Sequence, residues 1–290
     1  MWLSNLLRQL GFDSSRPRAQ LAYQQRRRRR QAKCCLALEP LEARALLAYD
    51  ILDLGAIDAV AINGSQQVAA NVGGHAALLQ SGTVTDLGTL GGLGSRANDV
   101  NDAGQVVGYA DTAGGQRHAF LVTPEDTDSN GTPDRWFRDD DANGLNDLML
   151  DLGTLGGPTS EARAINNLGQ VVGRADTSTS SVSYRAFVWD SVTGMRNLGT
   201  FGATTSEANA INDRGEVAGT AASFIGYTIY NGAQGFRWDP ISGGSLLSSF
   251  YGAPRKATGL NESGQIVGPS GYVQSFGTLS RVVYWDNAYL

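Results

Sequence analysis

ANDVNDAGQVVGYA, residues 97–110, is one copy of a phrase that returns as AVAINGSQQVAAN (59–71), ARAINNLGQVVGRA (162–175), ANAINDRGEVAGTA (208–221) and ATGLNESGQIVGPS (257–270). Four copies join two apolar segments through Asn101-Asp102-Ala103-Gly104, Asn166-Asn167-Leu168-Gly169, Asn212-Asp213-Arg214-Gly215 and Asn261-Glu262-Ser263-Gly264. Asn bonds its own backbone and Gly supplies a positive φ, the requirements of a hairpin built on a type I turn with a glycine bulge. The first copy has Asn63-Gly64-Ser65-Gln66, so a looser turn or another type is expected there, as in atypical terminal repeats. A unit of short strands cannot bury its own apolar face, so the copies must stack or close on one another.

Two more strands follow each hairpin. Third strands read at His75–Leu79, His118–Val122, Arg185–Trp189, Gly235–Trp238 and Val282–Trp285, and fourth strands at 84–90, 148–155, 195–201 and, degenerate, 245–251. The fifth unit has no fourth strand, while a spare copy, YDILDLG (49–55), precedes the first. The chain is therefore expected to be all-β: a five-bladed β-propeller of four-stranded blades, closed by the N-terminal strand 49–55. Closure leaves only short, protected edges. An open solenoid of β-repeats with exposed ends is the alternative. The aromatic residues of the third strands, among them Phe120, Phe187, Trp189 and Phe236, recur at matching places and are expected to pack between neighbouring sheets. His75 and His118 are the only histidines and give way to Arg185 and Gln234 in later copies, which speaks against a catalytic or metal role.

Charge divides the 290 residues unevenly. Residues 1–50 hold ten Arg and Lys against four Asp and Glu, leaving 13 basic and 24 acidic residues in the remainder, a formal −11. A body so acidic argues against nucleic acid or an anionic membrane as partner. The two cysteines, Cys34 and Cys35, are adjacent and lie in the basic segment, so no disulfide staples the repeats. Residues 1–48 read as a targeting or processing leader, largely disordered with a short helix at the N-terminus, and 49–290 as the repeat domain. No stretch reaches the roughly 18 apolar residues of a membrane-spanning helix.

LEPLEARALLA (38–48) resembles the LEPR-XLL motif at the start of exported planctomycete proteins, through Leu38, Glu39, Leu41, Glu42, Arg44, Leu46 and Leu47. Ala43 stands where that pattern has Pro. The resemblance implies export to the cell envelope or beyond the cell. DLGTLGG (86–92 and 151–157), AIN followed by GQVVG, and HAF (118–120) are similar to the HAF-repeat family of extracellular bacterial proteins, over nearly all of 50–290. That family implies an exported repeat module and no particular chemistry.

One segment carries readable chemistry. Residues 125–149, EDTDSNGTPDRWFRDDDANGLNDLM, interrupt the second unit between its third and fourth strands. Asp126, Asp128, Asn130, the carbonyl of Thr132 and Asp134 fall at alternate positions, and thirteen residues later Asp139, Asp141, Asn143, the carbonyl of Leu145 and Asp147 repeat the pattern. Hard oxygen ligands in this spacing, with Gly131 and Gly144 allowing a sharp bend, suit Ca²⁺. The loops depart from the EF-hand, whose bidentate Glu position is held by Phe137 and Leu150. They look more like thrombospondin type 3 calcium repeats without the cysteines. An acidic surface loop that needs no metal is the other reading.

Loops joining fourth to first and second to third strands share one face of such a propeller, opposite the insert. The second kind lengthens along the chain and ends in segments where Phe224, Tyr227, Tyr230, Tyr272 and Phe276 stand among Gly, Ser and Gln, a mixture suited to an extracellular glycan or protein. Most carboxylates outside the insert recur from unit to unit and belong to the scaffold. Asp99, Glu161 and Glu207 are the candidates a hydrolase or lyase would use. No nucleophile with an adjacent base, zinc set or phosphate loop is visible, and the expected function is a non-catalytic interaction or structural module stabilised by calcium.

Overall fold

The computed structural model describes residues 57–178, 184–225, 228–247, 256–274 and 277–285, and within 224–232 and 270–285 the description covers backbone alone. The leader 1–48 and the strand expected at 49–55 lie outside the described residues. Within them the chain is all-β, with nineteen strands in five antiparallel sheets. The first sheet holds β1 (Asp58–Ile62), β2 (Val68–Val72), β3 (His75–Gln80) and β4 (Thr83–Gly88). The second holds β5 (Gly91–Val100), β6 (Val106–Thr112), β7 (Arg117–Val122) and β8 (Met149–Asp151). The third holds β9 (Ser160–Ile165), β10 (Val171–Asp176), β11 (Tyr184–Asp190) and β12 (Gly194–Gly199). The fourth holds β13 (Thr205–Ile211), β14 (Val217–Ile225), β15 (Thr228–Asp239) and β16 (Gly243–Leu246), and the fifth β17 (Gly259–Leu260), β18 (Ile266–Gln274) and β19 (Gly277–Trp285). Each is a meander in which sequence neighbours pair. No helix among the described residues is long and apolar enough to cross a membrane.

Strand alternation explains the paired valines of the repeat. Successive side chains point to opposite faces, so Val106 meets the first sheet while Val107 meets the third. Val171 and Val172 divide likewise between the second and fourth sheets. On the third strands Phe120 and Phe187 face the preceding sheet, while Ala119 and Ala186 face the following one. Large side chains thus meet small ones at each interface. The core is a series of such sheet-to-sheet layers, with Phe120, Phe187 and Phe236 fully buried, each contributing about 2–3 kcal/mol by removal from water.

The asparagine turns bind the sheets to one another. In each of the five turns the i+3 N–H returns to the Asn carbonyl at 2.9–3.1 Å. The first turn is not looser or different: Gln66 takes the left-handed position at φ 61° that Gly104, Gly169, Gly215 and Gly264 hold elsewhere. Asn63 has the same side-chain clasp as the other copies, its Oδ1 accepting the Ser65 and Gln67 N–H groups, and that clasp enforces the geometry without glycine. Four of the five Asn amides then donate to the next turn's carbonyl: Asn63 to Asn101 (2.9 Å), Asn101 to Asn166 (3.0 Å), Asn166 to Asn212 (2.9 Å) and Asn212 to Asn261 (3.1 Å). One position further on, Asp102, Asn167, Asp213 and Glu262 accept the backbone N–H of the preceding turn. A cavity of about 230 Å³ is lined by residues of all five turn regions, including Asn63, Asn101, Asn166, Asp213 and Glu262.

A second staple accounts for the serine of the G-T-L-G-G-x-x-S segments. Ser95 Oγ accepts the Ala76 N–H and donates to the Gly88 carbonyl, and Ser160 does the same with Ala119 and Gly153. Ser206, in the fourth sheet, repeats it with Ala186 and Gly199. These hydroxyls are buried and committed to the scaffold.

Candidate functional site

The insert leaves the second sheet after β7 and returns as β8. Its two loops share one hydrogen-bond pattern. Asp126 accepts the N–H groups of Asn130 and Gly131, Asp128 accepts the Asn130 amide, and Asn130 accepts the Thr132 N–H. Asp139, Asp141 and Asn143 repeat these bonds with Asn143, Gly144 and Leu145. Ser129 and Ala142 adopt positive φ at equivalent places, 57° and 56°. In the first loop, carboxylate oxygens of Asp126, Asp128 and Asp134 all lie within 4.8 Å of one another. The donor set is all oxygen, so it fits Ca²⁺ by chemistry and spacing. The Gly131 N–H, foremost among several contacts, holds the Asp126 carboxyl below its ordinary range.

The tetrapeptide between the loops does what the spacing of acids gave no sign of. Trp136 is buried in the layer between the first and second sheets, and its indole N–H donates to the Gly104 carbonyl at 2.8 Å. Asn146, also buried, donates to the Leu87 carbonyl of the first sheet at 3.0 Å and to the Trp136 carbonyl at 2.8 Å. Arg138 and Arg135 both pair with Glu125, and Arg138 also with Asp140. The insert is a clasp across two sheets on the side of the asparagine turns. A lone Trp amid acidic turn residues was the available signal, since nothing in an exposed loop gains from burying so large a ring.

The three carboxylates that a catalytic reading would use do not converge. Asp99 sits at the turn end of β5, where Oδ2 accepts the Ile165 N–H at 3.0 Å and ties the second sheet to the third. Burial raises its pKa, opposed by the Ile165 and Val100 N–H groups. Glu161 and Glu207, near the opposite ends of β9 and β13, do meet, through two arginines. Arg174 contacts Glu161 at 2.9 Å and Glu207 at 3.8 Å, while Arg163 contacts Glu207 at 3.0 Å and Glu161 at 3.5 Å. Burial acts to lower the Arg174 pKa, but the two glutamates outweigh it and raise it.

His75 and His118 are explained by cross-strand pairing. Their Nδ1 atoms lie 2.9 and 2.8 Å from Asp86 and Asp151 on the neighbouring strand. Each Asp also accepts the N–H of the glycine two residues on. Of the aromatic ligand candidates, Tyr227 and Phe276 lie outside the described residues, and Phe224, Tyr230 and Tyr272 are described in backbone only.

Compared with known proteins, the sequence matches no family model and no curated protein. Among solved structures it is similar to TolB from Acinetobacter baumannii, with a TM-score of 0.47 and 14% identity over 78% of this chain. The likeness spans 51% of that chain, about half of its length.

Proposed function

We propose that the protein is an exported, non-catalytic recognition module of the HAF-repeat kind, carried out of the cytoplasm by a LEPR-XLL-like leader. In this reading the five sheets close into a five-bladed β-propeller, with strand 49–55 filling the fourth place of the last blade. Calcium in the two loops of the insert secures the clasp between the first and second blades, held by Asp126, Asp128, Asn130, Thr132 and Asp134 and by Asp139, Asp141, Asn143, Leu145 and Asp147. An extracellular glycan or protein is bound on the opposite face, where Phe224, Tyr227, Tyr230, Tyr272 and Phe276 fall in the longest loops.

The observation that carries the closed ring is the cavity lined by turn residues of all five repeats, because units stacked in an open row would not gather their equivalent turns round one space. The non-catalytic reading rests on the carboxylates. Glu161 and Glu207 are each held between the same two guanidiniums and Asp99 is tied to the Ile165 N–H at the turn end, so no pair of these carboxylates is left free to flank a glycosidic bond. A glycan array followed by product analysis tests it. Binding without released reducing ends is expected; turnover of a bound glycan would make this a carbohydrate-active enzyme instead.

A further inference from the structure

A cleft of about 550 Å³ opens between the second and third sheets, at the ends of the strands remote from the asparagine turns. Its walls come from the β6–β7 loop, the segment leading into β9, and the facing ends of β10 and β11. The size lies within the range of about 300–1,000 Å³ in which small molecules are bound.

The lining chemistry is selective. Asp111, Glu161 and Asp176 supply carboxylates, Arg117 and Arg174 guanidiniums, and Gln116 an amide. Three acids against two bases leave the cleft close to neutral and slightly negative, so it has no surplus charge for a phosphate, sulfate or carboxylate ligand. An apolar ligand would strip water from the hydrogen-bonding positions these groups still offer, at a cost of about 1–3 kcal/mol for each hydrogen bond lost. A polyhydroxylated neutral ligand meets the wall on its own terms. Each sugar hydroxyl both donates and accepts, so adjacent hydroxyls can give to a carboxylate and receive from a guanidinium or amide. Tyr184 adds an aromatic ring to the wall, the apolar element on which the C–H face of a pyranose packs.

The wall is also held in place beforehand. Glu161 accepts two bonds from Arg174, at 2.9 and 3.1 Å. Asp176 accepts the Thr159 hydroxyl at 2.6 Å. The Arg117 guanidinium lies over the Tyr109 ring at 4.1 Å and that of Arg174 over Tyr184 at 5.3 Å. Side chains already fixed lose little entropy when a ligand arrives. We infer that this cleft is a saccharide subsite that takes a neutral hexose or pentose unit of an extracellular polysaccharide. The inference deepens the recognition reading above and rests on its glycan form, but uses different residues from the aromatic loops.

The test is calorimetric titration of the full-length protein with six-unit oligosaccharides of glucose, galactose, mannose and xylose, and with the acidic polymers polygalacturonate and heparin. Tyr184→Ala and Gln116→Ala are compared with the parent chain, with melting temperature recorded for each. At least one neutral oligosaccharide should bind, and both variants should weaken it tenfold or more. Should Tyr184→Ala lower the melting temperature, the exposed loop variant Gln116→Ala decides. Neutral binding that both variants leave within twofold overturns the cleft while the wider recognition reading stands. Binding confined to the acidic polymers overturns the cleft as well, and no saccharide bound at all overturns the cleft together with the glycan form of that reading.

Discussion

Gly108, Gly173 and Gly268 close the GQVVG and GQIVG phrases because the neighbouring first strand bulges toward them. A Cβ at any of these positions would lie 1.9 Å from the carbonyl oxygen of Arg96, Glu161 or Lys256, and the bulges fall at the facing register steps in the second and third sheets. Close backbone approach, not turn conformation, demands glycine there. Glu216 shows a different kind of residue logic. It stands where the other copies have Gln67, Gln105, Gln170 and Gln265, and still accepts the amide of its turn asparagine, Asn212, at 2.7 Å. Being a carboxylate it also gathers Arg214 and Arg237. Burial pushes its pKa up, but the Asn212 amide and the two arginines outweigh burial and hold it below the ordinary glutamate range. A carboxyl with a lowered folded pKa stabilises fully above its unfolded pKa, and that stabilisation disappears as pH falls through the folded value. Glu216→Gln should therefore cost about 1–3 kcal/mol at neutral pH. Thermal melts of the two proteins should converge in acid; a gap that persists unchanged below the carboxylate range would refute the charge-based account.

Among the elements, the insert is a clasp between two sheets, anchored by Trp136 and Asn146. The alternate spacing of the acids was visible in the sequence, and in the first loop it brings carboxylate oxygens of Asp126, Asp128 and Asp134 within 4.8 Å of one another. The anchoring by Trp136 and Asn146 was not visible, since their partners, Gly104 and Leu87, lie 32 and 59 residues away in the chain. Without a cation, eight carboxylates in 25 residues repel one another; a bound cation would offset that repulsion. A ligand that binds only the folded form at about a hundred times its Kd stabilises by about 2.7 kcal/mol. Calcium should thus raise the melting temperature by about 5–10 °C, with Asp128→Ala plus Asp141→Ala removing the gain. Calorimetry with calcium and with chelator checks this, and an identical melting curve in both discards the metal.

For the molecule entire, the decisive feature is that every sheet is incomplete by itself. The cores are layers between sheets, and the amides of Asn63, Asn101, Asn166 and Asn212 and each staple serine bond across a boundary between repeats. In the proposed ring that dependence would extend to the last sheet, which has three strands among the described residues. If Ile51, Leu52 and Leu54 complete it, a chain beginning at residue 56 loses about 5 kcal/mol of apolar burial relative to one beginning at 49. Its melting temperature should fall by about 10–20 °C, and equal melting of the two would favour the open solenoid.

The strand content, the number of sheets and the position of nearly every turn could be read from the repeated phrase, because period-two alternation and Asn-to-Gly turns are local properties of the backbone. The first turn misled, because its glycine was replaced while the asparagine clasp that enforces the geometry remained. Which neighbour each side chain serves belongs to tertiary packing alone. Ser95 and Ser160 are buried staples between sheets; Glu161 and Glu207, candidates for a hydrolase or lyase by sequence, share two arginines. Contacts of this kind are made by residues 19 to 44 positions apart, and no periodicity within a strand encodes the distance between sheets.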